Sequence, residues 1–128
     1  MSATALLSAR LVRLARNSLA SARRLIRDAQ REPDRRRSSD LLAKARDIIA
    51  IARKIYAHSM RALALSGQLT HHYAEWAHGR YRALIRINGG EALWISPRTY
   101  GKRQSAQRAA ARYVEKLRTA AACAGATA

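Results

Sequence analysis

Arg80, Arg82 and Arg86, with Leu84 among them, take the even positions in the run Arg80–Ile87, and Tyr81, Ala83, Ile85 and Ile87 take the odd ones. A period of two belongs to a β-strand, so the arginines share one face and the apolar side chains the other. Like charges on one face, with no acid among them, repel each other unless a polyanion lies against them. A guanidinium forks onto phosphate oxygens or onto the O6 and N7 atoms of guanine. Trp94 offers an indole that either stacks on a base or anchors a small core. Further on stand Lys102, Arg103, Arg108, Arg112 and Lys116. The last three are four residues apart and line one side of a helix. The chemistry these types and spacings suit is recognition of a polyanion.

Bond-making chemistry finds less to work with. His71 and His72 are neighbours, so on a helix they diverge by about 100° and do not share a metal. His78 has only Glu75 for company, and the spacing of a zinc site is missing. No Gly-x-Ser-x-Gly elbow and no phosphate-cradling glycine loop occurs. Eight scattered acids do not compose a two-metal nuclease. The expectation is a non-enzymatic protein with no metal and no cofactor.

Bulk charge points the same way. Lys and Arg number 25 against 8 Asp and Glu, a formal net charge of +17 in 128 residues. Arginine supplies 21 of those cations. Such self-repulsion opposes compaction unless a polyanion neutralises it, and a phosphate backbone does so with release of counterions. The charge is uneven: residues 1–37 carry 10 cations and 3 acids, 38–78 carry 5 and 3, and 79–128 carry 10 and 2. Two basic lobes therefore flank a nearly balanced middle. The first lobe adds a secondary basic surface, Arg23, Arg27 and the connector trio Arg35, Arg36 and Arg37.

These residues need elements to hold them. Phe is absent and much of the apolar fraction is alanine, so the core is expected to be thin. Leu7, Leu11, Leu14, Ser18, Ala22, Leu25 and Ala29 space a seam along one helix over 3–31. The polar run around Pro33 ends it, and a second helix is expected over about 39–66, with Gly67 as its stop. The short connector favours antiparallel neighbours, a helical hairpin that also suits a homodimer. Residues 67–78 read as a linker or short helix. Asn88-Gly89 then signals a type I′ hairpin turn, with Glu91–Ser96 as the return strand. A third helix follows from about 103 or 105 to 121, with Ala106, Ala110, Tyr113, Leu117 and Ala121 on its inner face. The expected fold is mainly α with a small β-hairpin (α+β). Its parts are a helical hairpin (1–66), a linker (67–78), a ββα basic module (79–122) and a flexible tail (123–128).

The stretch 79–118 resembles the AP2-like DNA-binding modules at the N-termini of phage-type integrases. The residues that carry the likeness are Gly79 through Gly89, Leu93-Trp94-Ile95, Thr99-Tyr100 and the helix ending Arg112-Tyr113-Val114. The resemblance implies a sheet laid in the major groove and backed by one helix, with Arg80, Arg82, Arg86 and Trp94 at groove-facing positions. It covers under a third of the chain, and such modules usually have three strands where this text yields two. No recombinase catalytic region follows.

The leading expectation is a small DNA-binding protein of a bacterium or mobile element, such as a phage or plasmid, acting in the cytoplasm. Strand arginines would give specificity, and the third helix and helix 1 arginines affinity. A rival is a phage- or plasmid-encoded effector that inhibits an acidic host protein through its basic surface. RNA or ribosome association is a third reading. Residues 1–27 hold six arginines and no acid, which also describes a mitochondrial targeting segment or a helix lying on a membrane surface. No apolar run is long enough to span a membrane. The lone Cys123 forms no internal disulfide.

Overall fold

A computed structural model of the chain describes residues 2–88 and 90–126. The order is α1 (Ala3–Arg31), α2 (Arg35–Leu65), β1 (Leu69–Ala77), β2 (Arg80–Ile87), β3 (Ala92–Ile95) and α3 (Arg103–Ala126). The class is α+β, as expected. Two compact units divide it: Arg10–Ser59, and Met1–Ala9 together with Met60–Ala128. The boundary thus cuts across both long helices rather than falling at residue 66. No helix among the described residues is long and apolar enough to cross a membrane.

Within Arg10–Ser59, α1 and α2 form the hairpin. Asp34 caps α2, its Oδ1 accepting from the Arg36 amide at 2.9 Å. The helix therefore starts four residues before the expected serine, and Arg35, Arg36 and Arg37 occupy its first turn instead of a loop. Ser38 Oγ donates to the Ala29 carbonyl (2.8 Å), which sets the level of one helix against the other. Seven-residue steps from that point place Ala22 beside Ala45 and Ala15 beside Ala52, and all four are buried. Val12 is fully buried as well.

Ala22 and Ala29 lie in the seam as expected, but its other positions differ. Leu14, placed in the seam by spacing, is 56% exposed. Leu11, Ser18 and Leu25 are half-buried. The helices have turned so that methyl groups meet, because closely approached backbones gain more dispersion contact than leucines held apart.

The second unit holds the sheet. Strands run β1-β2-β3, all antiparallel. β1 fills the stretch expected to be a linker or short helix, so the ββα module is a three-stranded sheet with one helix. The reason β1 escapes a pattern search lies in its burial: only Leu69 is buried, and most of the strand is exposed on both faces. An edge strand of this kind has no apolar period to read. Its residue types still suit a strand, with Thr70, Tyr73 and Trp76 among them. Gly67 (φ +73°) ends α2, the Gln68 amide reaching back to the Leu63 carbonyl at 3.3 Å. Gly79 (φ +70°) sits in the turn between β1 and β2.

The second hairpin also departs from expectation. A type I′ turn requires positive φ at both central residues. Asn88 does not adopt it, and Gly89 lies outside the described residues. The Gly90 amide donates to the Ile87 carbonyl at 2.6 Å, and β3 begins at Ala92 with Leu93 as a bulge opposite Ile85 and Arg86. Beyond β3, Tyr81 and Tyr100 exchange backbone bonds of 2.8 and 2.7 Å, so the segment after Pro97 returns to β2 as a single bridge.

α3 packs on β1 and β2. Ile85, Ala106 and Ala110 are fully buried, and Trp94 stacks on Tyr113 with centroids 4.2 Å apart and planes 13° from parallel. The Arg118 Nε donates to the Ala64 carbonyl (3.2 Å), tying α3 to the last turn of α2, where Met60 and Leu63 are fully buried. α3 continues through Ala126, past the expected end at 121, so the described part of the expected tail is helical; 127 and 128 lie outside the described residues.

Two outcomes follow. Ala45→Leu should destabilise the hairpin by about 1–3 kcal/mol through overpacking, whereas Ala50→Leu, on an exposed position, should leave the urea midpoint nearly unchanged. Burial pushes the Tyr113 phenol above its ordinary value. The neutral phenol is thus favoured in the fold, and its contribution is complete below about pH 10, the unfolded value. It is lost as pH rises from there through the folded value. Melting temperatures should fall across that alkaline range, and Tyr113→Phe should flatten the decline.

Candidate nucleic-acid interface

The register of the sheet sorts its side chains onto two faces. Ile85 is partnered by His71 on β1 and Trp94 on β3, and all three lie on the face that α3 covers. Arg82 and Arg86, on the other face of β2, are partnered by Ala74 and Thr70. Leu84 lies between them, buried with 7% of its surface exposed and paired with His72 and Ile95. The only acid on the three strands, Glu75, is partnered by Tyr81 on the helix side. The outer face of the strands therefore carries cations and no carboxylate.

Each strand arginine is held differently. Arg80 is fastened to Thr99: its Nε and Nη2 donate to the threonine Oγ1 at 3.2 and 2.9 Å, and Nη2 also donates to the carbonyl at 3.2 Å. Arg82 is half-buried, and its Nη1 donates to the Ser96 carbonyl at 2.9 Å. Its guanidinium carbon stands 4.2 Å from the centre of the Trp76 ring. Ala74, the cross-strand partner, is small enough to leave that path open. The Nε of Arg82 is buried with no hydrogen-bond partner. Arg86 is exposed. Beside it, the Thr70 hydroxyl is 3.3 Å from the Arg86 carbonyl and 2.9 Å from His72 Nε2.

The anchor of Arg82 is built by Ser96, itself buried. The Ser96 Oγ accepts from the Ala83 amide (3.0 Å) and donates to the Arg98 carbonyl (2.7 Å), while its amide donates to the Ala83 carbonyl (2.9 Å). Ser96 thereby ends β3 and turns its own carbonyl toward the guanidinium. The arginine is positioned in advance, so little side-chain entropy is left to lose on binding.

Two β1 residues belong to this face, Trp76, which the sequence reading did not single out, and His72, which it weighed only as a metal ligand. Trp76 occupies the bulge between Glu75 and Ala77 and is 59% exposed, with Arg82 on one side of its indole. His72 stands opposite Leu84. No signal in the text marks either, since both depend on β1 being a strand.

The other expected site residues are elsewhere. Trp94 lies on the helix-covered face, stacked on Tyr113, and is not groove-facing. Arg103 is turned to Tyr81, its Nε donating to the phenol oxygen at 3.3 Å with its guanidinium 5.5 Å from the ring. That hydrogen bond is the first cause raising its pKa, and it leaves Arg103 charged at every accessible pH. Lys102 is exposed at the start of α3. Arg108, Arg112 and Lys116 are exposed on the side of α3 turned away from the sheet, roughly opposite Ala106, Ala110 and Tyr113. They form a second basic stripe, separated from Arg82 and Arg86 by the whole thickness of helix and sheet. Arg23, Arg27, Arg35, Arg36 and Arg37 are exposed in the hairpin unit. Between β1 and α3 a groove is lined by His71, Val114, Glu115 and Arg118, but its acid and base face each other at 3.8 Å. Among the described residues no three His, Cys, Asp or Glu side chains gather as a metal site would need.

Compared with protein-family models, with curated proteins and with solved structures, the chain matches none.

Arg82→Lys should cost about 1–2 kcal/mol of stability, since an ammonium cannot both reach the Ser96 carbonyl and lie flat on Trp76. Arg86→Lys should cost almost nothing in the same denaturant titration.

Proposed function

We propose that the chain is a non-enzymatic DNA-binding protein and that the outer face of its sheet is the surface that meets the duplex. The observation that carries this reading is the company on that face: Arg82 and Arg86 on β2, with Trp76 and His72 on β1, and no strand carboxylate beside them. Arg86 is free to fork onto a base edge or phosphate, whereas Arg82 presents the part of its guanidinium not taken by Ser96. Trp76 adds a flat apolar surface for sugar or base. A three-stranded antiparallel sheet backed by one helix also supports the likeness to AP2-like modules, which the two strands legible in the text left incomplete. Proteins that read DNA with a sheet lay its strands in the major or the minor groove.

In this reading the helix stripe plays a different part from the one expected. Arg108, Arg112 and Lys116 face away from a duplex seated on the sheet, so they act through the general field of the protein and not by direct contact.

The test is fluorescence anisotropy with duplex DNA, single-stranded DNA and RNA over a range of salt. Affinity for duplex should fall steeply with salt. Arg86→Glu combined with Trp76→Ala should weaken it by about tenfold or more, and Arg108→Glu by much less. Absence of duplex binding overturns the reading, as does duplex binding indifferent to the Arg86 and Trp76 changes. Capture of one acidic protein after nuclease treatment, with no nucleic acid bound, would favour the effector reading instead.

A further inference from the structure

We infer that the hairpin unit pairs with a second copy of itself, closing a four-helix bundle in which α1 of one chain lies against α2 of the other. The inference is independent of what the sheet binds. It starts from exposure: Leu14 is 56% and Ile51 62% exposed, although both sit on regular helices beside the alanine seam. The level set by Ser38 and Ala29 puts these two residues at nearly the same height. In an antiparallel pair, positions just before the seam residue on either helix fall on the same side. Leu14 precedes Ala15 and Ile51 precedes Ala52, so they share one flank. Half-buried Leu11, Ile48 and Ile55 lie between them and the seam. The result is an apolar patch near one level of the flank, to which both helices contribute.

Charge selects this flank over the opposite one and selects a second copy as its occupant. At 100° per residue, Asp28, Asp40 and Asp47 fall on the same side as Leu14 and Ile51, together with Arg24 and Lys44. Among the described residues, none of Asp28, Asp40, Lys44 and Asp47 makes an ion pair within the chain. The opposite side carries Arg23, Arg46 and Arg53 and no helical acid. A second basic chain is repelled there and accepted on the flank where both signs occur.

The arrangement of those signs fixes the partner helix. A two-fold axis parallel to the helices brings α1 of one chain beside α2 of the other at unchanged levels. Arg24 then lies between the levels of Asp40 and Asp47, within about 6 Å along the axis of each. Asp28 is about 7.5 Å from the level of Lys44, a gap the lysine stem spans. The area is adequate too. Helices of this length, about 33 Å from Arg10 to Arg31, set side by side at 8–10 Å, present roughly 600 Å² per chain. The total of about 1,200 Å² reaches what a specific interface requires.

Sedimentation equilibrium of the full chain after nuclease digestion tests this. The mass expected at tens of micromolar is twice 14.2 kDa. Leu14→Glu with Ile51→Glu should raise the dimer dissociation constant about a hundredfold or more while circular dichroism still reports the helices. A charge exchange serves as the second arm and separates lost pairing from lost folding. Asp28→Lys alone should weaken the dimer, and adding Lys44→Asp should restore it. A monomeric wild type, a higher oligomer, a double-Glu variant that stays dimeric, or an exchange that fails to restore pairing would each overturn the inference.

Discussion

The scarcity of large apolar side chains governs this structure. With no phenylalanine and many alanines, the chain cannot fill wide gaps between elements, so the gaps themselves must close. In the hairpin the helices meet at Ala15, Ala22, Ala45 and Ala52. In the second unit α3 meets the sheet through Ala106 and Ala110, with Ile85 against them and the Trp94–Tyr113 stack as the widest filling. Close approach replaces side-chain bulk, and dispersion between backbones replaces part of the area term. One covering helix is all that such a core can hold. The far face of the sheet carries Arg82, Arg86, Thr70 and His72, with Trp76, Ile95 and the buried Leu84 among them.

That bare face is made workable by a buried serine. Ser96 uses its hydroxyl, amide and carbonyl to end β3, grip Ala83 and hold Arg82. The guanidinium, pinned at one end and lying over Trp76 at the other, becomes part of the sheet's surface. Arg80 is fixed in the same spirit by Thr99, leaving Arg86 as the exposed member with no such anchor. A chain with so much positive charge thus divides its arginines into structural ones that hold loops to strands and exposed ones that meet the surroundings.

Sequence patterning reached the long helices, β2, β3 and α3, because each has one buried face and hence a period. It did not reach β1, which is an edge strand with both faces largely exposed, and so it did not reach Trp76 or His72. The seam of α1 was placed correctly at Ala22 and Ala29 but misplaced by one residue at Leu14, where Ala15 is the buried position; in a tightly closed pair the smaller residue wins the centre. The turn type failed for another reason. Asn-Gly permits the type I′ geometry without enforcing it, and the bulge at β3 takes up the hairpin's twist by a different route. Of the candidate site, Arg82 and Arg86 were legible from alternation alone. Trp94 as a core anchor was legible from the shortage of aromatic residues, whereas the resemblance set it on the groove side.

The alanine seam bears on how such a protein changes over time. At the levels of Ala15, Ala22, Ala45 and Ala52 only the smallest side chains keep the helices at their spacing. The positions around them tolerate exchange among many types as long as the sense of each flank is kept. Descendants of one ancestor can then drift until little pairwise identity survives, while a seven-residue beat of small residues persists on both helices. Kinship in this lineage would be written in rhythm, with the spacing of alanines outlasting the letters between them.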